Sequence, residues 1–217
     1  MEYQDIENEK SKFNGMIDDE AAYLLSLAKK DKVPFKKVSN FQYGDVYTIV
    51  KIVHIFIKNE NKVSAIVGDE TGHCILSLWD NHVDFGYALK EGDVIQISNG
   101  FVRNRIRGKE INVGKFGMID KSDKKIMTHI RFGKKLGIFN IKGDLIKKYS
   151  TQMYIDDFEH FMCQIKMDDF DVILLDDRVK DIQKYNEQDP LQILWVHQNS
   201  HGKIYADECS VIRFDNR

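Results

Sequence analysis

The chain has 217 residues, a formal net charge of −2 and three cysteines. Its length suits one large or two small domains, since a domain takes about 100–200 residues, and its near-neutral charge argues against a generic basic nucleic-acid binder. The cysteines lack the spacing of a zinc ribbon or a disulfide framework, and no apolar run approaches the roughly 20 residues that span a bilayer. We expect a cytoplasmic protein with no signal peptide, metal or cofactor.

Residues 1–35 are expected to form a helical segment separate from the domain that follows. Acidic residues at 18–20 mark a helix start, where the helix dipole favours negative charge. Apolar residues then recur at helical spacing and lysines follow at the far end: Ala21, Leu24, Leu25 and Ala28, then Lys29, Lys30 and Lys32. We expect a helical cap that packs on the next domain, with a partner-binding arm as the alternative.

Residues 36–120 contain five strand-like runs, rich in Val and Ile, with one helical stretch between the third and the fourth. The runs begin at Val46, Lys62, His73, Gly92 and Gly108. The segment Gly68–Gly72 (GDETG) has the residues of a hairpin turn. We expect the helical stretch to open with Asp80 as N-cap and to close with Gly92 as C′ residue. This order is that of the five-stranded Greek-key barrel called the OB-fold, an oligonucleotide-binding architecture.

The same stretch resembles archaeal single-stranded-DNA-binding proteins of the replication protein A family. The resemblance rests on four motifs in unbroken order: GDETG at 68–72, Leu78-Trp79-Asp80, Glu91-Gly92-Asp93 and Asn99-Gly100-Phe101. A segment like Met16–Lys30 also precedes the first barrel in that family. The resemblance implies that Trp79 and Phe101 stack on bases and that the protein acts in DNA replication, repair or recombination.

Alternation along the third strand places Trp79 on an outward face. Leu76 and Leu78 share one face, while Ile75, Ser77 and Trp79 share the other. A flat indole on an outer surface can stack on any base, which is worth about 1–3 kcal/mol. The alternative is a Trp79 half-buried under the helical stretch.

Phe101 is a second candidate, but its assignment depends on a bulge. Ile95, Ile97, Asn99 and Phe101 are in phase, so simple alternation would send Phe101 into the core with the isoleucines. A bulge at Asn99-Gly100 would reset the phase and turn Phe101 outward. Two weaker aromatic candidates, Phe56 and Phe116, are expected in the core.

Basic residues surround these aromatics. Four flank the loop between the fourth and fifth strands, which binds oligonucleotides in this fold, and two belong to the first and second strands. They are Arg103, Arg105, Arg107 and Lys109, with Lys51 and Lys62. Guanidinium groups hold phosphates and stack on bases, so we expect all six to contact the nucleic-acid backbone. In an extended segment, the three arginines would share one strand face.

The rest of the chain predicts a linker or short helix at 121–131 and a second, degenerate OB-like barrel at 132–217. Its strands are expected to begin at Leu136, His160, Phe170, Leu191 and Gly202, with a helix over Arg178–Asp189. The connection from Tyr149 to His160 is irregular. Trp195, inside an apolar run, is expected in the core.

Charge separates the two halves of this region. Lys121–Ser150 holds nine basic and two acidic residues, whereas 151–217 holds seven basic and fourteen acidic ones. The acidic residues include Asp168, Asp169, Asp171, Asp176 and Asp177. Such aspartates can hold magnesium, but charged ends on a buried strand explain them more simply. An acidic surface repels phosphate, so this barrel is better suited to contacting proteins.

These features predict a sequence-independent single-stranded-DNA-binding protein rather than an enzyme. The sequence has no nucleophile constellation, phosphate-binding loop or metal-spaced histidines. Two alternatives remain. One is an adaptor subunit of a replication or repair complex that contacts proteins, including other subunits of the replication protein A type, through residues 132–217. The other is an RNA-binding protein.

Overall fold

The computed structural model describes residues 2–29, 35–155 and 158–216, which form two compact units. One unit contains the residues up to Asn104 together with Lys109–His129, and the other contains Arg105–Gly108 and the residues from Ile130 onward. The predicted helix-end residues Lys30 and Lys32 lie outside the described residues. Within the described ranges, no helix has both the length and the apolar character needed to cross a membrane.

The first barrel is closed by five strands. With a sixth, short strand they are β1 (Gly44–Asn59), β2 (Lys62–Asp69), β3 (Gly72–Trp79), β4 (Val94–Arg105), β5 (Gly108–Val113) and β6 (Met118–Lys121). The order is β1-β2-β3-β5-β4, and β4 pairs back with β1. The β3–β5 pair is parallel, whereas β1–β2, β2–β3 and β1–β4 are antiparallel. This order confirms the predicted OB-fold, to which the unpredicted β6 adds a strand beside β4.

The hairpin turn between β2 and β3 is organised by a buried carboxylate. Asp69 is 1% exposed, and its oxygens accept hydrogen bonds from the backbone N–H groups of Val38 at 2.9 Å and Thr71 at 2.8 Å. Gly68 is required here because an added Cβ would lie 2.6 Å from the carbonyl oxygen of Gly72. The predicted turn is therefore confirmed, and its aspartate also ties the preceding chain to the barrel.

The helix between β3 and β4 is shorter than expected. A 3-10 turn at Asp80–His82 leads into α3 (Val83–Tyr87), which packs so closely that a Cβ on Gly86 would lie 2.8 Å from Cβ of Val63. Asp80 is the first residue of the turn, whose N-cap position is taken by Trp79, and the N-cap of α3 is His82, so the predicted N-cap role of Asp80 is wrong. Gly92 has φ +97 but lies beyond the end of α3, in the turn before β4, so it is not the C′ residue.

Two N-terminal helices pack against the first barrel. They are α1 (Glu2–Lys12) and α2 (Asp19–Lys29). Asp18 begins α2 by accepting a hydrogen bond from the Ala21 N–H at 2.8 Å. Leu25 is fully buried, and Met118 of β6 packs against the same apolar cluster. Burial of a leucine side chain contributes about 1.5–3 kcal/mol, so these contacts hold the helices to the barrel wall.

The second barrel repeats the first. Its elements are β7 (Ile138–Lys148), β8 (Gln152–Ile155), β9 (Glu159–Met167), β10 (Phe170–Leu175), α4 (Asp177–Asp181), β11 (Pro190–Gln198), β12 (Ile204–Ala206) and β13 (Val211–Phe214). The closed order β7-β9-β10-β12-β11 corresponds to that of the first barrel, with β10–β12 as the parallel pair. β13 pairs with β11 as β6 does with β4. The second OB-fold is thus confirmed.

Several details of the second barrel differ from the prediction. The predicted last strand is divided into β12 and β13, because a turn through Asp207–Ser210 separates them. The predicted helix over Arg178–Asp189 is reduced to α4 and a 3-10 turn at Ile182–Lys184. The irregular connection contains the short strand β8, and residues 122–131 contain no helix.

Candidate nucleic-acid interface

Trp79 lies on the outer wall of the first barrel, at the end of β3. Leu78 points into the core and is 1% exposed, whereas Trp79 is 37% exposed. The indole N–H donates to Oδ1 of Asn112 on β5 at 3.2 Å. Nζ of Lys62, the cross-strand partner of Trp79, lies 4.8 Å from the ring centre. The ring is therefore held in a fixed orientation with a positive charge beside it.

Phe101 also lies outside the core, because β4 changes phase. Ile95 and Ile97 are fully buried, and so is Val102. Odd-numbered residues point inward before the change and even-numbered ones after it. Phe101, next to Val102, is consequently partly exposed on the outer wall.

A bulge at Asn99-Gly100 causes this change and confirms the prediction. Asn99 adopts the left-handed conformation with φ +56, and the pairing with β1 shifts between Val46 and Thr48. Asparagine tolerates this conformation better than most residues. Gly100 leaves the necessary space, since an added Cβ would lie 2.8 Å from Cγ2 of Ile97.

Phe101 belongs to a small group that we call the Phe101 cluster: Phe101, Tyr43 and Arg103. The rings of Tyr43 and Phe101 meet edge to face, with centroids 5.2 Å apart, and Cζ of Arg103 lies 5.6 Å from the Phe101 ring centre. Tyr43 is 72% exposed. It was missed from the sequence because it precedes β1, and only the pairing of Gly44 with Val102 brings it beside Phe101.

The three predicted arginines do not share one environment. Arg103 and Arg105 are exposed residues of β4 at alternate positions. Arg107 lies in the turn after β4 and, like Arg105, belongs to the second unit. There its Nε is 2.7 Å from Oδ2 of Asp207, and its Nη1 is 3.0 Å from Oε1 of Glu208. The guanidinium charge of Arg107 is thus already balanced by two carboxylates.

The remaining predicted residues are dispersed over the first barrel. Lys109 donates from Nζ to the carbonyl oxygen of Ser39 at 3.2 Å. Lys51 is partly exposed on β1 opposite Gly68, and Phe56 is partly buried at an irregular point of the same strand. Phe116, expected in the core, is 37% exposed, so that expectation is wrong.

A row of polar groups lies beside Trp79 on the same wall. Oγ of Ser64 is 3.2 Å from Oγ of Ser77, and Ser77 donates to Oε1 of Glu110 at 2.6 Å. Both serines are fully buried, so their hydroxyls link strands within the wall and do not meet a ligand, while the Glu110 carboxylate adds negative charge beside them.

The aspartates of the second barrel serve separate local roles. Asp168 accepts from the Asp144 N–H at 2.9 Å, Asp176 from the Phe161 N–H at 3.0 Å, and Asp177 pairs with Lys180. Across the ranges that the structure describes, no three His, Cys, Asp or Glu residues are grouped as a metal site would require. Trp195 is 5% exposed, as expected for a core residue.

No protein-family model and no curated protein matches the chain. Among solved structures, a replication protein A heterotrimer bound to single-stranded DNA is similar over 83% of this chain, with 11% identity and a TM-score of 0.44. The chain spans about half of that protein chain, 51% of its length. Schizosaccharomyces pombe Pot1pC bound to single-stranded DNA is similar over 43% of this chain and 89% of its own, with 13% identity and a TM-score of 0.39.

A murine DNA-binding protein bound with double-stranded DNA is similar over 79% of this chain and 97% of its own, with 12% identity and a TM-score of 0.45. The OB-fold assignment of both barrels rests on their own strand order and pairing.

Proposed function

We propose that the first barrel binds single-stranded DNA on its outer wall, with bases stacked on Trp79 and Phe101. One observation carries the proposal: both aromatic side chains lie outside the barrel, and each has a cation within 6 Å of its ring, Lys62 at 4.8 Å and Arg103 at 5.6 Å. Aromatic surfaces for bases beside positive charges for phosphates are what non-specific single-strand binding requires.

The phosphate contacts are assigned to four residues of the first unit, Lys51, Lys62, Arg103 and Lys109; Arg105 is left out because it belongs to the second unit. Arg107 is left out of the proposed site because Asp207 and Glu208 already neutralise it. A site of this kind binds with little sequence preference, because every base has a flat face. Its affinity falls as salt concentration rises, since binding releases counterions from the strand.

A protein with this site would cover exposed single strands during replication, repair or recombination. The resemblance of the GDETG, Leu-Trp-Asp and Asn-Gly-Phe motifs to replication protein A supports such a role. Residues 132–217 are the proposed surface for other subunits, because their acidic character disfavours a second DNA site.

Tryptophan fluorescence gives a direct test. The chain has two tryptophans, and the second, Trp195, is buried. In a Trp195→Phe variant all tryptophan emission comes from Trp79, so we expect oligo-dT to quench it strongly at low salt. Unchanged emission on addition of a 30-mer that demonstrably binds would remove Trp79 from the site.

The energetic test compares Trp79→Ala with a matched aromatic control. Tyr87 on α3 is 45% exposed and is not part of the proposed DNA site, so the Tyr87→Ala variant should bind DNA with the affinity of the unmodified protein. Trp79→Ala should lose about 1–3 kcal/mol, or about 5- to 150-fold in Kd, by fluorescence anisotropy with a labelled oligo-dT. Equal affinities for the two variants would contradict the stacking role.

The RNA alternative is tested by comparing oligo-dU with oligo-U of the same length, because these differ only in the 2′-hydroxyl. Tighter binding of oligo-dU supports the DNA assignment. Tighter binding of oligo-U would favour the RNA-binding alternative, and no binding of either at low salt would favour the adaptor alternative.

A further inference from the structure

A cavity of about 380 Å³ lies in the first unit, where α2 meets β1 and the β4 bulge. Three exposed carboxylates line it, from Asp18 and Glu20 beside the start of α2 and from Asp45 on β1. Lys36 supplies one opposing charge, and the bulge residue Asn99 completes the polar lining. Negative charge therefore predominates around the cavity.

The cavity contains a buried polar group without a partner. Tyr47 lines it and is 6% exposed, and among the residues that the structure describes its hydroxyl has no hydrogen-bond partner. Tyr47 and the three carboxylates line the same cavity, and burial, followed by the charges of Asp45, Asp18 and Glu20, raises the pKa of the Tyr47 hydroxyl. An unsatisfied buried hydroxyl costs about 1–3 kcal/mol, so its retention here needs an explanation.

The second barrel shows how the same position is normally satisfied. Tyr47 is the β1 residue opposite the β4 bulge, and Asn140 is the β7 residue opposite the corresponding bulge in β11. Oδ1 of Asn140 accepts from the Trp195 N–H at 2.9 Å, and its Nδ2 donates to the Arg131 carbonyl at 2.9 Å. Among the described residues, the first barrel thus has a hydroxyl without a hydrogen-bond partner where the second has an amide bonded through both its oxygen and its nitrogen.

We propose that this cavity binds a guanidinium or primary ammonium group, held by the carboxylates of Asp18, Glu20 and Asp45 and by the Tyr47 hydroxyl. Such groups carry several N–H donors and a positive charge, which match three carboxylates and a hydroxyl oxygen. A metal ion fits less well, because these acidic residues are not grouped as a metal site among the described residues.

The first test uses an isosteric pair of probes. Butylguanidine carries the charge, whereas butylurea has a similar shape and hydrogen bonds but no charge. In an NMR titration of the DNA-free protein, butylguanidine should shift the backbone amides of Asp45, Tyr47 and Asn99. Butylurea should bind about tenfold more weakly, as expected when charge-assisted hydrogen bonds are replaced by neutral ones.

The variants separate charge from structure. Glu20→Gln, at an exposed helix position, and Asp45→Asn should each lower affinity by about two- to fivefold, as for an accessible ion pair. Lys36→Gln should raise affinity because it removes the competing cation. Tyr47→Phe should weaken binding while preserving the packing of the ring, and Trp79→Ala should leave binding unchanged.

A second titration, with a tripeptide, distinguishes the possible natural sources of the cation. Acetyl-Gly-Arg-Gly-amide is compared with its citrulline analogue, the uncharged isostere. Binding of the arginine peptide alone assigns the cavity to a side chain of a partner protein, and binding of butylguanidine alone assigns it to a small-molecule cation; either result, or both, supports the site. Equal binding of charged and neutral probes, or affinity unchanged in the Glu20→Gln/Asp45→Asn double variant, overturns it.

These titrations contain no DNA, and the expected cation binding does not depend on Trp79. A negative result would therefore count against the cavity proposal alone and not against the proposed DNA site.

Discussion

The two barrels both have a bulge in the fourth strand, but the side chains around the bulge differ. In each, the fourth strand of the barrel has a bulge with one residue in the left-handed conformation, Asn99 at φ +56 and Trp195 at φ +57. The pairing with the first strand shifts at the corresponding point in both. Asparagine tolerates this conformation, whereas for a bulky residue it is strained.

The residue that follows the bulge shows the consequence. In the first barrel it is Phe101, on the outer wall beside Arg103. In the second it is His197, which is 7% exposed, stacks on Tyr205 with centroids 5.7 Å apart, and lies 3.7 Å from Asp207. The same strand order therefore places a partly exposed aromatic ring beside a cation in one barrel and a buried histidine beside a carboxylate in the other. Side chains at the bulge, rather than topology, decide between them.

The largest expected effect concerns Trp195. Trp195→Ala should destabilise the protein by about 3–5 kcal/mol, because a large buried side chain is removed and a cavity remains. Asn99→Ala should cost only about 1–2 kcal/mol, chiefly from the left-handed backbone. Urea unfolding followed by circular dichroism measures both. A cost for Trp195→Ala no greater than that for Asn99→Ala would show that the second bulge is not supported by packing.

The next effect compares the two residues that follow the bulges. Phe101→Ala should weaken oligo-dT binding by about 1–2 kcal/mol, since it removes a stacking surface. His197→Ala should leave the affinity unchanged, because the corresponding position of the second barrel is closed. Anisotropy titrations at one low salt concentration measure both, and an equal loss in the two variants would mean that both walls bind DNA.

A smaller effect distinguishes Arg103 from Arg107. For single strands, each phosphate contact contributes about 0.7 to the slope of log K against log salt concentration, so Arg103→Ala should reduce the slope by about that amount. Arg107→Ala should leave the slope unchanged, because its charge is balanced by Asp207 and Glu208. Titrations at several salt concentrations give the slopes. A reduced slope for Arg107→Ala would return this arginine to the proposed site.

The smallest effect is a pH dependence confined to the second barrel. Burial lowers the pKa of His197 below its ordinary value of 6.5, against the raising effect of Asp207. The unfolded chain therefore binds a proton at His197 more tightly than the folded chain does. The contribution of neutral His197 to the free energy of unfolding is fully present above about pH 6.5 and is lost as pH falls through the lowered pKa. Urea unfolding from pH 7.5 to 5 should be less pH-dependent in His197→Gln. An unchanged pH dependence would exclude His197 as its source.

Local pattern was enough for much of the first barrel. Alternation of apolar residues predicted its five strands and the outward position of Trp79, because side chains on a strand alternate whatever the strand packs against. Glycine and aspartate predicted the β2–β3 turn, since their backbone requirements are local. The second barrel was predicted in outline, but β8, the division between β12 and β13, and the short α4 were not.

The position of Phe101 depends both on the local sequence pattern and on tertiary contacts. Alternation alone would place it in the core, and only a bulge reverses this. The bulge itself depends on Gly100 fitting against Ile97 and on the pairing of β4 with β1, both of which are tertiary contacts.

The sequence by itself determined the order of the strands, the turn and the outer face of β3, because these follow from residues within a few positions of one another. Only the tertiary structure decided that Arg107 is neutralised by Asp207, that Tyr43 lies beside Phe101, and that the Tyr47 hydroxyl has no hydrogen-bond partner in the described part of the chain, in a cavity with three carboxylates. Each of these contacts joins residues from chain segments that barrel closure or packing brings together. The spacing of residues along the sequence does not predict such contacts.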